Sequence, residues 1–203
     1  MEAVIFDIDG TLIESANVDD ELYRQSVIDV LGPIRFRPSL SEYGRVTDSG
    51  VLMEVLEDNS LSGMPDPTEE IRGRFVELLE DHIAQHGPFS EIPGAKDYIE
   101  AHRRSERHAV AIATGGWRMS ALLKLESAGF DIDGVPLTTS DDHLDRTGIM
   151  TLALEQLGRG VESVTYYGDG VWDRDASAAL GWRFVPIGPT LNGLTSFTLP
   201  NLR

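Results

Sequence analysis

The sequence predicts an α/β fold, in which a doubly wound parallel sheet carries a small all-helical domain inserted after its first strand. Short, continuous apolar runs are typical of buried parallel strands, and amphipathic segments separate the later runs. A long stretch without strand patterns follows the first run and predicts the insertion. Strand–helix alternation implies right-handed crossovers, and 203 residues suit one domain or a domain with a sizeable insertion.

Five apolar runs are the candidate strands. They cover residues 3–6, 108–113, 135–138, 163–167 and 183–187. Helices are predicted between the later runs, at residues 117–128 and 147–157, where leucine, isoleucine and methionine recur at helical spacing. Gly129 and Gly158 follow these segments, and a glycine just past a helix is a common stop.

Residues 16 to about 90 contain no convincing strand. Helical spacing covers residues 20–31, Asp48 is a plausible N-cap of a second helix, and Thr68 a plausible cap of a third. We therefore predict a core domain of residues 1–15 and 91–203 and a helical domain of residues 16–90.

Composition narrows the class of partner. Seventeen Lys and Arg against 34 Asp and Glu give a formal net charge of −17, which argues against nucleic acid and anionic membranes as partners. The lack of cysteine excludes disulfides, thiolate zinc sites and a cysteine nucleophile. The first residues do not resemble a signal peptide, and no apolar run approaches the length of a membrane span. We expect a soluble cytoplasmic protein, either monomer or dimer.

Polar residues follow three of the predicted strands. Asp7-Ile8-Asp9-Gly10-Thr11 comes after the first, Thr114-Gly115-Gly116 after the second, and Gly168-Asp169 with Asp173 after the fourth. Ligands of open parallel sheets bind beyond the carboxyl ends of the strands. The sequence therefore predicts four carboxylates and one hydroxyl at the edge where chemistry is expected.

Four clustered carboxylates raise each other's pKa unless a cation relieves the repulsion, and an oxygen-only ligand set favours Mg²⁺. A carboxylate can also act as a nucleophile, with a second one as general acid and base. Taken singly, the Asp7–Asp9 pair is typical of a solvated turn, and Asp169 and Asp173 of a loop acid and a helix N-cap. Because these residues all follow predicted strands, in this order along the chain, the sequence favours a functional site.

This combination resembles the haloacid dehalogenase-like (HAD) superfamily of phosphohydrolases. The segment from Asp7 to Thr11 is similar to its first motif, Thr114 to its second, and Asp169 with Asp173 to its acidic fourth motif. The resemblance implies a Rossmann-like core. It also implies a type 1 helical cap in the insertion, as in the branch of phosphoglycolate phosphatase and β-phosphoglucomutase.

The resemblance also implies roles for these residues. Asp7 would be the nucleophile, and Asp9 would protonate the leaving oxygen and later activate water. Mg²⁺ would be held by the Asp7 carboxylate, the Asp9 backbone carbonyl and Asp169, with Asp173 in support. Thr114 and the N–H groups of Gly115 and Gly116 would bind the phosphoryl oxygens.

The third motif of the superfamily most often supplies a lysine, and here the sequence departs from it. Lys96 lies before the second strand and Lys124 inside the helix after Thr114. Arg146 lies at the start of the helix that precedes the fourth strand, so we assign the phosphate-binding and catalytic role to Arg146. A solvated arginine at a helix start is the alternative.

Substrate selection is expected from the cap. The glycine-flanked loop before the second cap helix carries Arg45, Thr47 and Asp48, of which Arg45 and Thr47 are our candidates for substrate binding. A solvated Arg45 and a simple N-cap at Asp48 are the alternatives. Arg118 is a further candidate on the phosphate side.

The leading functional prediction is a Mg²⁺-dependent phosphatase that acts on a small phosphorylated metabolite. A phosphomutase of the same family, which returns the phosphoryl group to a sugar, is the close alternative because it needs the same two aspartates. A phospho-acceptor regulator is a third, but an acid/base at Asp9 and a large cap are superfluous for a switch.

Overall fold

The structure, a computed structural model, describes residues 1–199. Its five strands form one parallel sheet in the order β3-β2-β1-β4-β5. The strands are β1 (Glu2–Phe6), β2 (His108–Ala113), β3 (Leu137–Thr138), β4 (Ser163–Gly168) and β5 (Arg183–Pro186). All five predicted strands are present, and β3 is two residues shorter than predicted. The predicted α/β fold class is confirmed.

Both faces of the sheet are covered, which explains why the strands read as continuous apolar runs. Val4 and Phe6 of β1 face a cluster that also contains buried residues of the helical insertion. Ala3 and Ile5, which alternate with them, face a second cluster on the opposite side. The sheet is therefore doubly wound, with β1 at its centre.

Four helices flank the sheet: α4 (Ala95–Arg103), α5 (Arg118–Ser127), α6 (Arg146–Gln156) and α7 (Val171–Leu180). The helices predicted at residues 117–128 and 147–157 correspond to α5 and α6 within one residue at each end. Helix α4 was not predicted, because His102 occupies its buried stripe beside Ala95 and Ile99 and interrupts the apolar pattern.

The insertion is helical: α1 (Ala16–Leu31), α2 (Asp48–Asp58) and α3 (Thr68–His86), with a short 3₁₀ turn at Leu40–Glu42. Within residues 16–90, all of them described, there is no strand. Helix α1 begins four residues earlier than predicted, with Ser15 as its N-cap residue.

Two predicted caps are wrong. Thr47, not Asp48, caps α2, because the Thr47 hydroxyl accepts a hydrogen bond from Gly50 N at 3.1 Å. Pro67 precedes α3, and Thr68 is the first residue of that helix.

The chain leaves the sheet domain and returns to it at adjacent points. Glu14 N donates to Ser90 O at 2.9 Å, and Ile92 N donates to Leu12 O at 2.8 Å. These two hydrogen bonds lie at the predicted boundaries of the helical domain, residues 16–90, and the division into two domains stays a prediction. Among residues 1–199, no helix is long and apolar enough to cross a membrane.

Candidate active site

A cavity of about 290 Å³ lies between the carboxyl ends of β1, β2 and β4 and the first two helices of the insertion. Its lining contains most of the predicted site residues: Asp7, Asp9, Thr47, Thr114, Gly115, Gly116, Arg146 and Asp169. The insertion contributes further polar side chains, among them Asn17, Asp19, Asp20, Tyr23 and Asp48. Strand register explains the convergence, since Phe6 pairs with both Ile112 and Tyr167 and the three strands end together.

Three of the four predicted carboxylates form one cluster. Asp7, Asp169 and Asp173 each offer an oxygen, and these oxygens lie within 4.8 Å of one another. Gly10 permits the approach, because a Cβ there would lie 2.3 Å from Asp169 Oδ2 and the backbone has φ +73°. The fourth carboxylate, that of Asp9, lies outside this cluster and contacts Lys124 instead.

Burial and mutual repulsion raise the pKa values of carboxylates in the cluster. Burial, followed by the charge of Asp173, raises the pKa of Asp7 well above its usual value, and Arg146 only partly offsets them. The same two causes raise the pKa of Asp169 to about 7. Such carboxylates are poised to bind a cation, which would remove the repulsion.

The donor set fits a hard divalent cation. It consists of carboxylate oxygens alone, which is the chemistry that Mg²⁺ and similar ions prefer. Asp7 Oδ1 is buried and has no hydrogen-bond partner. A buried carboxylate oxygen without a hydrogen bond is costly, and the Arg146 Nη1 lies 3.5 Å away from it, so a bound ion would supply the missing close contact.

Arg146 is the cation of the cluster. It starts α6, and its Nη1 lies 2.8 Å from Asp173 Oδ1 and 3.5 Å from Asp7 Oδ1. Its Nη2 donates to Val46 O at 3.1 Å, which links it to the insertion. Burial lowers the pKa of Arg146, but Asp173 and Asp7 outweigh burial and raise it, so the guanidinium is charged. A Cβ at Gly115 would lie 2.4 Å from Arg146 Nη2, so this glycine makes room for the arginine.

The loop after β2 lies against the same cavity. Thr114 is buried, and its hydroxyl accepts a hydrogen bond from Gly116 N at 3.2 Å. Trp117 N donates to Asp48 Oδ2 at 2.8 Å. The loop therefore already contacts the insertion through one of its N–H groups.

Sequence reasoning missed the partner of Asp9. Lys124, on α5, has no exposed side-chain surface, and its Nζ lies 2.7 Å from both carboxylate oxygens of Asp9. It also donates to Asp19 of α1. The sequence does contain an indication of this burial. Lys124 has helical spacing to the apolar residues Ala121, Leu125 and Ala128, all of which are buried.

A family model for haloacid dehalogenase-like hydrolases matches residues 1–181. The chain belongs to this family. The resemblance drawn from the motifs is thereby confirmed. Among curated proteins, none matches this sequence closely enough to be called a relative.

Solved structures share the fold of this HAD-like hydrolase at low identity. A hydrolase from Pseudomonas syringae is 20% identical with a TM-score of 0.71, covering 92% of this chain and 84% of that one. CbbY from Rhodobacter sphaeroides in complex with phosphate is 20% identical with a TM-score of 0.70, covering 97% and 88%. β-Phosphoglucomutase from Clostridium difficile is 17% identical with a TM-score of 0.71, covering 95% and 86%.

Two arginines proposed for substrate binding do not reach the cavity of the hydrolase. Arg45 Nε lies 2.8 Å from Asp145 Oδ1, with 42% of its side chain exposed. Arg118 Nη2 lies 2.6 Å from Asp142 Oδ2 and donates to Leu137 O. Acidic neighbours outside the cavity hold both cations, so neither lines the space where a substrate fits.

Thr47, in the loop before α2, and Asp48, the first residue of that helix, do line the cavity. The Thr47 hydroxyl donates to Leu144 O at 2.7 Å, so it joins the insertion to the sheet domain. The Asp48 carboxylate accepts from Trp117 N, and Asp48 N donates to Gly115 O at 2.8 Å. Burial, followed by the charge of Asp19, raises the pKa of Asp48 well above its usual value.

Proposed function

We propose that this HAD-like hydrolase is a Mg²⁺-dependent phosphatase that acts on a small phosphate monoester through an aspartyl-phosphate. One observation carries the proposal. Asp7 is buried with an unpartnered carboxylate oxygen beside the charged Arg146, and Asp9 lines the same cavity two residues further on. A nucleophile, a cation and an acid/base are the groups that phosphoryl transfer to a carboxylate needs.

The first half-reaction forms a bond between a carboxylate oxygen of Asp7 and the phosphorus of the substrate. The bond from phosphorus to the leaving oxygen breaks, and Asp9 gives that oxygen its proton. In the second half-reaction Asp9 takes a proton from water as the water oxygen attacks phosphorus. The bond between the Asp7 oxygen and phosphorus breaks, which releases inorganic phosphate and restores the Asp7 carboxylate, while Asp9 is protonated again.

Arg146 and the loop after β2 bind the phosphoryl oxygens in this proposal. The Arg146 guanidinium reaches Asp7 and Asp173 from one side, and Thr114 lies in the same cavity with Gly115 and Gly116. An arginine offers several donors in a planar fork and therefore suits a tetrahedral oxyanion.

The metal would be held by Asp7, Asp169 and Asp173, with the Asp9 backbone carbonyl as a further donor. When bound, Mg²⁺ would neutralise negative charge on the phosphoryl group and on the carboxylates around it. The clustered oxygens and the unpartnered Asp7 Oδ1 support this assignment.

The walls of the cavity favour water over a sugar phosphate as the acceptor. Among the described residues that line it, Arg146 is the only lysine or arginine. A phosphomutase must hold a molecule with a second phosphate group. Once Arg146 is assigned to the transferred phosphoryl group, no lysine or arginine of the described lining is left to bind that second group. We therefore propose hydrolysis, with a substrate that has one phosphoryl group. A cytoplasmic location and a monomer or dimer stay predictions from the sequence.

Release of inorganic phosphate tests the proposal. The purified protein is incubated with Mg²⁺ and a panel of phosphorylated sugars, phosphorylated acids, nucleotides and an aryl phosphate. We expect turnover by the parent protein and by Asp81→Asn, which changes an exposed carboxylate on α3, and none by Asp7→Asn. Turnover by Asp7→Asn, or an isomeric product without free phosphate, would contradict it.

A further inference from the structure

Lys124 is a cation that the proposed reaction does not use. Its side chain is fully buried, its Nζ contacts both oxygens of Asp9 at 2.7 Å, and it also donates to Asp19. It is not among the residues that line the cavity, whereas both of its carboxylate partners are. We therefore expect its effect on the reaction to pass through these partners.

The Asp9 carboxylate is held by three hydrogen bonds. Lys124 donates to both of its oxygens, and Ser15 Oγ donates to Oδ1 at 2.6 Å. Asp9 lies in the turn after β1, where an aspartate side chain without such bonds samples several rotamers. These donors select one orientation for the group that must give and take the proton.

Three different elements supply this arrangement. Asp9 follows β1, Lys124 belongs to α5 of the sheet domain, and Asp19 belongs to α1 of the insertion. Burial lowers the pKa of Lys124, but Asp19 and Asp9 outweigh burial and raise it above its ordinary value, so the ammonium is charged. A buried lysine is tolerated because both acidic partners are present.

We propose that Lys124 is a positioning residue for Asp9, and that Asp19 fixes the Lys124 ammonium from the side of the insertion. The inference rests on the acid/base role proposed for Asp9. Asp9 begins the first half-reaction protonated, its proton passes to the leaving oxygen, and the Lys124 ammonium stabilises the carboxylate that forms. The same carboxylate, held in one orientation, then takes a proton from water in the second half-reaction. Proton transfer depends steeply on geometry, so a displacement of the Asp9 carboxyl group by about 1 Å is enough to slow it strongly.

A double-mutant cycle with Asp9→Asn separates positioning from packing. We expect Lys124→Met to lower kcat for an alkyl phosphate by about 100-fold or more while KM changes by less than about threefold. In the Asp9→Asn background, the same substitution should lower kcat by less than about threefold, since the group it positions is already gone. A purely structural lysine would cause similar losses in both backgrounds.

The leaving group provides a second readout. The first-turnover release of 4-nitrophenol needs little proton donation, so Lys124→Met should slow it by less than about 10-fold. Rescue is also possible because the chain has no cysteine. Lys124→Cys can be unfolded, alkylated with 2-bromoethylamine and refolded, which restores an ammonium at nearly the same reach. We expect this treatment to recover most of the alkyl-phosphate activity.

Lys96→Met is the matched control, because Lys96 is 39% exposed and contacts Glu91 and Ala128 O away from the cavity. It should keep the parent rate. If Lys124→Met does not fold, the double variant Asp19→Asn/Lys124→Met removes one charge of each sign. Its rate is then compared with that of Asp19→Asn, because Asp19 itself lines the cavity.

The two proposals fail in different ways. Three results would overturn the positioning role, while turnover by the parent protein would still support a phosphatase. They are equal losses of kcat for both leaving groups, losses of kcat that multiply in the double-mutant cycle, and parent-like rates in Lys124→Met. A parent protein without phosphatase activity overturns the proposed function, and the positioning role with it.

Discussion

Asp7 and Asp9 are two residues apart, but different cations hold them. Arg146 contacts Asp7 and also Asp173, and it lines the cavity. Lys124 contacts Asp9 and Asp19 and does not line it. The first cation therefore faces the cavity beside the proposed nucleophile, whereas the second is enclosed between two carboxylates.

The chemistry of the two cations matches these positions. The guanidinium of Arg146 extends to Asp7, Asp173 and the Val46 carbonyl at once, because its donors spread in a plane. The ammonium of Lys124 is compact and sits between two carboxylates. We infer that the Asp7 side binds charge in the substrate and that the Asp9 side fixes proton transfer.

Replacement of the proposed nucleophile, Asp7, should have the largest effect on the rate. Asp7→Asn should lower kcat by about 10⁴-fold or more for every phosphate monoester, because the covalent step is lost. Asp9→Asn should lower kcat for alkyl phosphates by about 10²- to 10⁴-fold and for aryl phosphates by less. Steady-state kinetics on both substrate types measures this. Equal losses on both types in Asp9→Asn would remove the distinction between the two sides.

Next in size is the loss of the cation beside Asp7. Arg146→Ala should lower kcat/KM by about 10²- to 10³-fold, because the phosphoryl charge loses its donor. Arg146→Lys should recover part of this loss, since it restores charge without the planar fork. Arg159→Ala, an exposed arginine beyond the end of α6, is the control. Full activity in Arg146→Ala would mean that another group binds the phosphoryl oxygens.

Removal of the metal acts on the Asp7 side. Chelation should abolish turnover, and Mg²⁺ should restore it. In Asp169→Asn the Mg²⁺ concentration for half-maximal rate should rise by about 10-fold or more, because a carboxylate of the cluster is lost. Asp175→Asn, which changes a carboxylate that is 67% exposed, should leave the Mg²⁺ requirement as it is. A chelated protein that keeps its rate would exclude the proposed metal role.

The smallest effect is expected from the loss of the hydrogen bond that Ser15 donates to Asp9. Ser15→Ala removes one of the three hydrogen bonds to Asp9 and leaves both from Lys124. We expect a loss of about fivefold in kcat for alkyl phosphates, in keeping with about 1 kcal/mol for one hydrogen bond. Ser39→Ala, in the 3₁₀ region of the insertion, is the control. A loss as large as that of Lys124→Met would assign the positioning of Asp9 chiefly to Ser15.

Much of the fold follows from local patterns. Continuous apolar runs predicted the strands because both faces of the sheet are covered, and the glycine after α5 marked its end. The helix caps were less predictable, because Thr47 and Asp48 are both good capping residues and only the backbone geometry distinguishes them. Helix α4 escaped prediction because a buried histidine interrupts its apolar stripe.

The family and the residues at the sheet edge followed from the sequence. Asp7, Thr114 and Asp169 directly follow strands and Asp9 is two residues beyond Asp7, so the backbone places them there once the strands pair in parallel. Arg146 was also assigned to the site from its place before β4, whereas the partners of Lys124, Arg45 and Arg118 depend on the tertiary structure. Lys124 is 115 residues from Asp9 in the chain. A long cationic side chain pairs with the acidic groups that the fold places within its reach. Arg45 therefore pairs with Asp145, Arg118 with Asp142, and Lys124 with Asp9.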